Sequence, residues 1–431
     1  MNTVHIHTIS LGCPKNQVDT EWILGNFGRN IALVPNPSQA DVVLINTCGF
    51  IEPAVSESLE VILDVIQEIS TLNPKPVLVV TGCLVNRYGQ SLEQELPEVD
   101  LFVNIANQPE LIHKLTHKIP LKPQTAKKRL LTTASGYAYI KIAEGCNNQC
   151  RFCTIPSIRG PLHSRSMDKI IDDAKFCLDQ GRKELVIIAQ DVTAYGQDLR
   201  DPHALKKLLE KLALLPGLEW LRLMYLYPAG LTQDFLQFLA HLGTPFIPYF
   251  DIPLQHAHPE ILSAMGRPFQ HDPRKIIDRV RSFFPQAALR TTCIVGYPGE
   301  TDQHFQTLEN FVRDVQFTHL GVFPFYPEEG VHATLLPDQI PSVIKEERRH
   351  RIMSIQAEIS QNYLEQFAFQ DLDVLIDQAN DEWPGLYEGR VWFQAPEVDG
   401  LTYISGADVA PGQMIKATID ETKTYDLVAL A

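Results

Sequence analysis

The chain has 431 residues, enough for two to four domains, and 45% of them are apolar, so each domain can bury a core. Its formal net charge of −15 argues against a nucleic-acid-binding surface spread over the whole protein. Neither a signal peptide nor a membrane-length apolar run is evident, so we expect a cytoplasmic protein without membrane contact. In that compartment its eight cysteines point to metal binding or catalysis rather than to disulfides.

Residues 1–118 are predicted to form an N-terminal α/β domain with an open, mostly parallel sheet. Apolar strand segments at Val4–Ile9, Asp41–Asn46, Val77–Val80 and Leu101–Asn104 alternate with helical patterns. Such alternation is typical of repeated βαβ units, which build parallel sheets.

Three cysteines of this domain occupy equivalent places. Cys13, Cys48 and Cys83 each follow one of the first three predicted strands, and each has a glycine beside it. Because parallel strands end on one edge of a sheet, where such folds bind ligands, we expect the three thiols to converge. The glycines would leave room for a bulky group. A metal site is therefore favoured over three independent small residues at strand ends.

Residues 119–135 are predicted to be a linker. The segment is basic and contains prolines, and it ends in Thr-Thr-Ala-Ser. A solvated linker is favoured over the alternative, a basic contact for RNA.

Residues 136–368 are predicted to form a partial (β/α)6 barrel followed by a long exit helix. The predicted strands are Tyr137–Ala143, Glu184–Gln190, Leu218–Leu226, Phe246–Ile252, Ala288–Val295 and Thr318–Phe325. In barrels of parallel strands the functional site lies at the carboxyl ends of the strands.

The first of these strands leads into a loop with the spacing C-x3-C-x2-C, formed by Cys146, Cys150 and Cys153 and called here the cysteine loop. Three thiolates from one short loop can hold three corners of a cubane iron–sulfur cluster and leave the fourth iron open to a ligand. A structural zinc site needs four ligands, and no fourth partner lies nearby in the sequence. Three unrelated buried thiols are a poor alternative, because the intervening Asn-Asn-Gln is polar.

Other residues near the same strand ends are weaker candidates for cofactor contacts. Gly296, Gly299 and Glu300 follow the fifth strand, where an ordinary strand–turn–helix connection explains them equally well. Gln190 follows the second strand and Arg222 lies in the third.

Three further residues are expected to be structural. His256, after the fourth strand, is more often a hydrogen-bonded structural histidine than a ligand. Cys177 lies in a helical pattern and Cys293 in a strand, and both are expected to be packed thiols.

Residues 369–431 are predicted to form a small five-stranded β-barrel. The segment contains twelve acidic residues against Arg390, Lys416 and Lys423, a net charge of −9. Small barrels often bind nucleic acids, but this one would repel phosphate.

The cysteine loop after the first strand of a partial barrel resembles the radical S-adenosylmethionine (SAM) superfamily. A preceding three-cysteine α/β domain and a following TRAM-like barrel make the whole chain similar to the methylthiotransferases, and most similar to their RimO type. Segments 46–51, 155–160 and 394–400 carry that choice. His163 and Pro327 stand where similar sequences commonly have Arg and Ser, which affects only details of substrate or cofactor contact.

The resemblance implies a radical SAM methylthiotransferase with two [4Fe–4S] clusters. The cluster on Cys146, Cys150 and Cys153 would bind SAM and cleave it to a deoxyadenosyl radical, with SAM contacts from Gly296, Gly299 and Glu300. Gln190 and Arg222 are further candidates for SAM contacts because of their place near the same strand ends. The radical would take hydrogen from the β-carbon of an aspartate in small-subunit ribosomal protein S-twelve. A second cluster, on Cys13, Cys48 and Cys83, would carry the sulfur, and a second SAM would supply the methyl group.

The resemblance also implies two further partners, an electron donor such as a flavodoxin or ferredoxin and a sulfur donor. Two alternatives stay open. One is the same chemistry on an adenosine of tRNA, which the acidic final domain disfavours. The other is a non-enzymatic RNA- or ribosome-binding protein stabilised by iron–sulfur clusters or zinc.

Overall fold

The computed structural model describes residues 3–28, 30–121, 129–268 and 272–431. They divide into two compact units: residues 1–132 with 154–161, the N-terminal unit, and residues 133–153 with 162–431, the C-terminal unit. The chain passes between the units at Cys153–Thr154, directly after the cysteine loop. Across the described residues, no helix combines the length and apolarity needed to cross a bilayer.

The N-terminal unit is a parallel sheet of five strands in the order β2-β1-β3-β4-β5. Its helices and strands are β1 Val4–Ser10, α1 Pro14–Phe27, β2 Ile31–Leu33, β3 Val42–Thr47, α2 Glu52–Ile69, β4 Val77–Gly82, α3 Cys83–Glu95, β5 Leu101–Val103, α4 Gln108–Thr116 and α5 Ile155–Arg159. The predicted open parallel sheet is confirmed. The short edge strand β2 was not predicted, because three residues are too few to show a pattern.

Both faces of this sheet are covered, which explains why the first four residues of its central strand β3, Val42–Ile45, are all apolar. All six residues of β3 are buried. Val42 and Leu44 belong to one core cluster, whereas Val43 and Ile45 belong to the other. The strand order reverses between β1 and β3, and open α/β sheets bind ligands at the carboxyl ends of the strands that flank such a reversal.

Part of the predicted linker belongs to the N-terminal unit. Residues 122–128 lie outside the described residues. Arg129 is buried and ion-paired with Glu21 of α1, whose Oε1 also accepts a hydrogen bond of 2.7 Å from the Thr132 amide. This end of the segment is therefore packed rather than solvated.

The C-terminal unit begins with a six-stranded parallel sheet in the order β6-β9-β10-β11-β12-β13. Its helices and strands are β6 Tyr137–Lys141, β7 Ala143–Glu144, β8 His163–Ser164, α6 Met167–Asp179, β9 Glu184–Ile188, α7 Ala204–Ala213, β10 Trp220–Leu223, α8 Gln233–Leu242, β11 Phe246–Asp251, α9 Pro259–Ala264, α10 Arg274–Phe283, β12 Ala288–Val295, α11 Asp302–Val315, β13 His319–Pro324 and α12 Ser342–Glu365. Strands that pair in chain order, each followed by a helical segment, form the predicted partial barrel.

The last five strands form a closed barrel in the order β14-β15-β16-β18-β17, as predicted. They are β14 Asp371–Ala379, β15 Leu386–Val391, β16 Thr402–Ser405, β17 Met414–Thr422 and β18 Leu427–Leu430. Buried and exposed residues alternate along β17, the pattern of a strand with one face on a core.

This small barrel packs on the N-terminal ends of the larger sheet's strands. Glu184, the first residue of β9, pairs with Arg222 at 2.5 Å and with Arg390 at 2.7 Å. Arg390 also pairs with Asp377 at 2.6 Å, and all four side chains are buried. The carboxyl ends of the strands, where the cysteine loop lies, are therefore at the opposite edge from the small barrel.

Candidate metal centres

The structure brings the first three cysteines to one edge of the N-terminal sheet. Cys13 follows β1, Cys48 follows β3, and Cys83 begins α3 directly after β4. These three strands are neighbours in the sheet. Cys48 and Cys83 are buried and Cys13 is partly exposed.

The neighbouring glycines let these three turns approach one another. A Cβ on Gly12 would lie 2.7 Å from the Cβ of Cys48. One on Gly82 would lie 2.3 Å from the Thr47 carbonyl, and one on Gly49 would lie 2.8 Å from the backbone of α3. The glycines were expected to make room for a bulky group. Instead, the room they leave is filled by the adjacent turns, which draws the thiols together.

Asn16 of α1 ties two of the turns to each other. Its side chain is fully buried, and Nδ2 donates to the Leu11 carbonyl at 2.8 Å and to the Thr47 carbonyl at 2.9 Å. These carbonyls belong to the turns that carry Cys13 and Cys48. One amide side chain thus fixes the spacing of two thiols.

Arg159, the last residue of α5, reaches the third thiol. Its Nε donates to Cys83 Sγ at 3.2 Å, Nη1 donates to Asp19 at 2.8 Å, and Nη2 donates to Asn16. Hydrogen bonds to sulfur ligands are one means by which proteins adjust iron–sulfur clusters.

The electrostatics of the triad suit a metal centre. Burial, with a smaller contribution from the neighbouring Cys13 and Cys83, raises the pKa of Cys48 to about 12. Burial also raises the pKa of Cys83, although Arg159 opposes this effect. Buried thiols with raised pKa values become thiolates when a cation supplies the compensating charge, as cluster iron does. The donor set fits three corners of a [4Fe–4S] cluster.

The second triad lies in the cysteine loop, which neighbouring backbone holds in place. The Arg151 amide donates to the Met265 carbonyl, and the Arg151 carbonyl accepts from the Ala333 amide, each at 3.0 Å. Gly266 has a φ of +72°, and a Cβ there would lie 2.9 Å from the Gln149 carbonyl oxygen. Segments that follow β11 and β13 therefore support the loop from outside.

Two nitrogen donors meet sulfur atoms of this loop. The Asn148 amide lies 3.4 Å from Cys146 Sγ, and Arg267 Nη1 donates to Cys150 Sγ at 3.1 Å. The Arg267 guanidinium is buried and stacks 4.6 Å above the ring of Tyr227. Both triads therefore have a buried arginine that donates to one sulfur.

Burial raises the pKa of Cys146, so this thiol also needs a nearby positive charge to ionise.

Gln190 lies close to the loop at the end of β9. Its Nε2 donates to Glu144 at 2.7 Å, and its Oε1 is buried without a hydrogen-bond partner among the described residues. The neighbouring Asp191 accepts from Asn148 Nδ2 at 2.8 Å, which anchors the loop to β9. A buried acceptor without a donor is costly unless a ligand or water satisfies it.

The candidates after β12 mostly organise their own turn. Glu300 is buried and accepts hydrogen bonds from the Gly296 amide at 2.6 Å and from Arg348 at 3.1 Å. Burial raises the pKa of Glu300 to about 7. The missing Cβ of Gly296 makes room for Lys345, whereas a Cβ on Gly299 would meet open space. The strand–turn–helix interpretation accounts for Glu300 and Gly296, and Gly299 alone borders free volume.

Arg222 is directed away from the carboxyl ends of the strands. Its Nε donates to Glu184 at 2.5 Å and Nη1 donates to the Trp392 carbonyl at 3.0 Å. The guanidinium lies 4.6 Å above the Tyr249 ring and is fully buried. This corrects the expectation that Arg222 contacts a cofactor, because its bonds join the large sheet to the small barrel.

The three residues expected to be structural are all buried. His256 is fully buried, and its Nδ1 accepts from the His258 amide at 2.9 Å. Burial lowers the pKa of His256 to about 3, so the ring is neutral. Cys177 on α6 and Cys293 on β12 are buried.

One further group of possible ligands was not predicted. His258, Glu260 and His304 place ligand atoms within 4.8 Å of one another on described parts of α9 and α11 and the turn before α9. Each histidine Nδ1 lies 3.3 Å from a backbone amide, of Glu260 and Thr301 respectively. Neutral rings that accept there carry their protons on Nε2 and cannot bind a metal through it. This group is therefore poorly suited to metal binding.

Sequence reasoning missed the polar residues around the sulfur atoms. They are Asn16, Asp19, Arg159, Tyr227 and Arg267. Asn16 follows Cys13 by three residues, and Arg159 lies in segment 155–160, which carries part of the family resemblance, but neither signal assigns the residue a role beside a sulfur atom.

A partial barrel whose C-terminal edge carries a C-x3-C-x2-C loop defines a radical SAM protein. Residues 140–312 match the family model described as the radical SAM superfamily. Residues 4–104 match the uncharacterized protein family UPF0004, and residues 370–431 match the TRAM domain. Radical SAM proteins use an iron–sulfur cluster and SAM, and this chain has the three-cysteine motif for them.

The chain belongs to the ribosomal protein uS12 methylthiotransferase RimO family. It is 52% identical to the RimO of Nitratidesulfovibrio vulgaris over 99% of this chain and 100% of that protein. It is 49% identical to the RimO of Lawsonia intracellularis over 100% and 98% of the two chains, and 44% identical to that of Aquifex aeolicus over 98% and 96%.

Solved structures share the fold. The radical SAM methyltransferase TsrM of Kitasatospora setae, with cobalamin and a [4Fe–4S] cluster bound, has a TM-score of 0.55 at 13% identity, covering 90% of this chain and 81% of that one. Its complex with tryptophan and a SAM analogue has a TM-score of 0.56 at 14% identity, with coverages of 90% and 78%.

Proposed function

We propose that this protein methylthiolates ribosomal protein uS12 at the β-carbon of an aspartate, using SAM and two [4Fe–4S] clusters. The observation that carries the proposal is its 49–53% identity, over 99% or more of the chain, to proteins named uS12 methylthiotransferase RimO. Support from the structure is the presence of two cysteine triads, each at the carboxyl edge of a parallel sheet.

Each triad would hold one cluster. Cys146, Cys150 and Cys153 would hold the one that works with SAM, and Cys13, Cys48 and Cys83 the one that binds the transferred sulfur. When bound, the first cluster and SAM would supply one-electron radical chemistry, and the second cluster would supply the sulfur atom.

Residues of the chain would position these groups and keep water away. Arg267 and Asn148 orient the sulfur atoms of the cysteine loop. Behind the loop, an apolar cluster excludes water; it contains Phe152, Ile261, Met265, Tyr297 and Phe325. The partnerless Oε1 of Gln190 and the open space at Gly299 support these two residues as SAM contacts.

The small barrel favours a protein substrate over RNA. Two of its twelve acidic side chains, Asp377 and Asp399, are buried with arginine partners. The charged side chains at its surface are therefore ten acidic ones and two lysines, Lys416 and Lys423. Such a surface attracts a basic ribosomal protein and repels phosphate, so the tRNA alternative is disfavoured.

The reaction needs partners that deliver electrons and sulfur. We place a flavodoxin or ferredoxin in the first role and a separate sulfur donor in the second. A ribosomal protein substrate, free or within the small subunit, places the reaction in the cytoplasm.

The deciding experiment compares a deletion strain with the same strain complemented by this gene. Intact-mass analysis of uS12 and nucleoside analysis of tRNA are both needed. We expect the deletion to remove the methylthio increment from uS12 and leave tRNA unchanged. Complementation should succeed with wild type or Cys177→Ala and fail with Cys48→Ala. Loss of the modification from tRNA alone would overturn the proposal.

A further inference from the structure

Arg159 occupies an unusual place for a residue outside any cysteine motif. It lies in the sequence six residues after Cys153, but α5 belongs to the N-terminal unit. The Asn86 side chain donates to the Ile158 carbonyl at 3.1 Å, and the Thr154 hydroxyl donates to the Phe50 carbonyl at 3.0 Å. Both ends of this short helix are thereby fixed to the unit that carries the first triad.

The direction of the Arg159 guanidinium is set by two buried partners. Asp19 accepts from Nη1 at 2.8 Å and Asn16 accepts from Nη2, while both partners are themselves held on α1. The planar fork of arginine then aims Nε–H at Cys83 Sγ, 3.2 Å away. Because Asn16 also bonds to the Cys13 and Cys48 turns, one polar network reaches all three thiol positions.

We propose that Arg159 is a positioning residue that raises the reduction potential of the cluster on Cys13, Cys48 and Cys83. This inference rests on the proposed function, which assigns a cluster to that triad. An N–H donor withdraws electron density from a thiolate, and a cationic donor does so most strongly. The reduced cluster carries one more negative charge than the oxidised cluster, so the contact stabilises the reduced form and raises the potential.

Asp19 has the opposite effect in the same network. Its carboxylate pairs with Arg159 at 2.8 Å in a setting where both side chains are almost fully buried. It offsets the positive charge beside the cluster and therefore lowers the potential. Arg159 and Asp19 together would hold the potential at an intermediate value, and their removal should shift it in opposite directions.

The test uses the full chain with Cys146, Cys150 and Cys153 changed to Ala, so that only the N-terminal triad can hold a cluster. The protein is reconstituted without oxygen, its iron is counted, and its midpoint potential is found by redox titration followed by electron paramagnetic resonance. Arg159→Gln should keep about four irons and, at the parent's midpoint, show about a tenfold lower ratio of reduced to oxidised cluster. Asp19→Asn should raise that ratio.

Arg267→Gln is the matched control, because Arg267 donates to Cys150 of the other triad at a similar distance, 3.1 Å. In this background it should leave the midpoint unchanged. Arg159→Lys keeps the positive charge but not the planar guanidinium, so its midpoint potential should lie between those of the parent and of Arg159→Gln. This variant still tests the inference if Arg159→Gln retains too little iron to be titrated. Shifts of the same sign for Asp19→Asn and Arg159→Gln, or no shift in either, would overturn the inference. Absence of iron from the parent triad would instead count against the proposed second cluster.

Discussion

Glu184 and Arg390 form a fully buried ion pair, 2.7 Å long, between the first residue of β9 and the fifth residue of β15. The pair joins a strand of the partial barrel to a strand of the TRAM barrel. Asp377 and Arg222 complete the network, and an apolar contact formed by Trp220, Ile247 and Leu375 lies in the same interface. The TRAM barrel is therefore an integral part of the C-terminal unit rather than a loosely tethered module.

Replacing Arg390 by Met should strongly destabilise the C-terminal unit. The change leaves Asp377 without its arginine and Glu184 with Arg222 alone. Breaking a buried pair from one side typically costs about 3–5 kcal/mol, because a charge is left uncompensated. Urea unfolding of wild type and variant, followed by tryptophan fluorescence, measures the difference.

Lys416→Met provides the control for that experiment. Lys416 pairs with Asp373 at 3.3 Å on the same small barrel, but their side chains are 75% and 59% exposed. Exposed pairs contribute about 0–1 kcal/mol. Equal losses of unfolding free energy in the two variants would show that the buried network does not stabilise the C-terminal unit.

The alternation of strands and helices along the chain and the cysteine positions could be predicted from the sequence, because both depend on local patterns. Strand–helix alternation revealed both parallel sheets, and Cys13, Cys48 and Cys83 stood at recognisable strand ends. The direction of Arg222 could not be predicted in this way. It depends on Glu184 and on the Trp392 carbonyl, which lies 170 residues further along the chain.

The polar residues around the thiols could not be predicted either, because they too come from distant parts of the sequence. Arg159 lies 143 residues from Asn16, and Arg267 lies 117 residues from Cys150. Neither arginine belongs to a periodic pattern or to a cysteine motif. The packing of Arg129 against Glu21, 108 residues away, likewise turned an expected linker end into buried structure.

Gly266→Ala should impair cluster binding by the cysteine loop. The added methyl would meet the Gln149 carbonyl oxygen at 2.9 Å, and φ at this position is +72°. The loop must then shift, and a displacement of its ligands weakens metal retention. Iron per chain after anaerobic reconstitution, with the N-terminal triad changed to alanine, is the measurement.

Gly243→Ala separates backbone strain from the clash. Gly243 also has a positive φ, +58°, but a Cβ there would meet nothing within 4 Å. It should cost about 1–2 kcal/mol of stability and no iron. Equal iron loss in both variants would contradict the role assigned to Gly266.

Cys48→Ala should remove about half of the bound iron, because it breaks one of two three-thiolate sites. Cys293→Ala is the matched control: Cys293 is also buried, but it lies within β12 and should be a packed thiol. Iron and sulfide analysis of the two reconstituted variants distinguishes them. Loss of iron from Cys293→Ala, or full iron in Cys48→Ala, would contradict the assignment.

His256 should make the protein less stable in acid. Its pKa is lowered by burial from an ordinary 6.5 to about 3, so the folded state holds the ring neutral while the unfolded state protonates it. The stability contributed is present above pH 6.5 and is lost as pH falls from 6.5 towards 3. His256 by itself contributes a slope of about 1.4 kcal/mol per pH unit in that window. Glu300, whose pKa is raised to about 7, contributes with the opposite sign but is present in wild type and variant alike.

His256→Asn tests this dependence, because asparagine offers an acceptor to the His258 amide but cannot ionise. Urea unfolding of metal-free protein at several pH values should show a shallower acid slope for the variant than for wild type. Above pH 7 the two profiles should run parallel. Parallel profiles at pH 5 as well would rule out His256 as the cause.

Charge reversal on the TRAM barrel should weaken selection of the substrate protein. Asp381 and Glu382 are exposed, next to the exposed Trp383, between β14 and β15. Changing both to Lys replaces attraction for a basic protein by repulsion, which acts mainly on association. We expect kcat/KM for uS12 to fall about tenfold at low salt. Mass spectrometry of the modified protein gives the rates.

Salt dependence distinguishes this effect from misfolding. Added salt screens exposed charges, so the wild-type rate should decline towards that of the double variant as ionic strength rises. The variant should also retain its iron and its ability to cleave SAM without uS12, since neither substitution touches a cysteine triad. Lys416→Glu, which makes the same barrel more acidic, should leave kcat/KM equal or higher. A lower value for Lys416→Glu would show that the sign of the charge does not govern substrate capture.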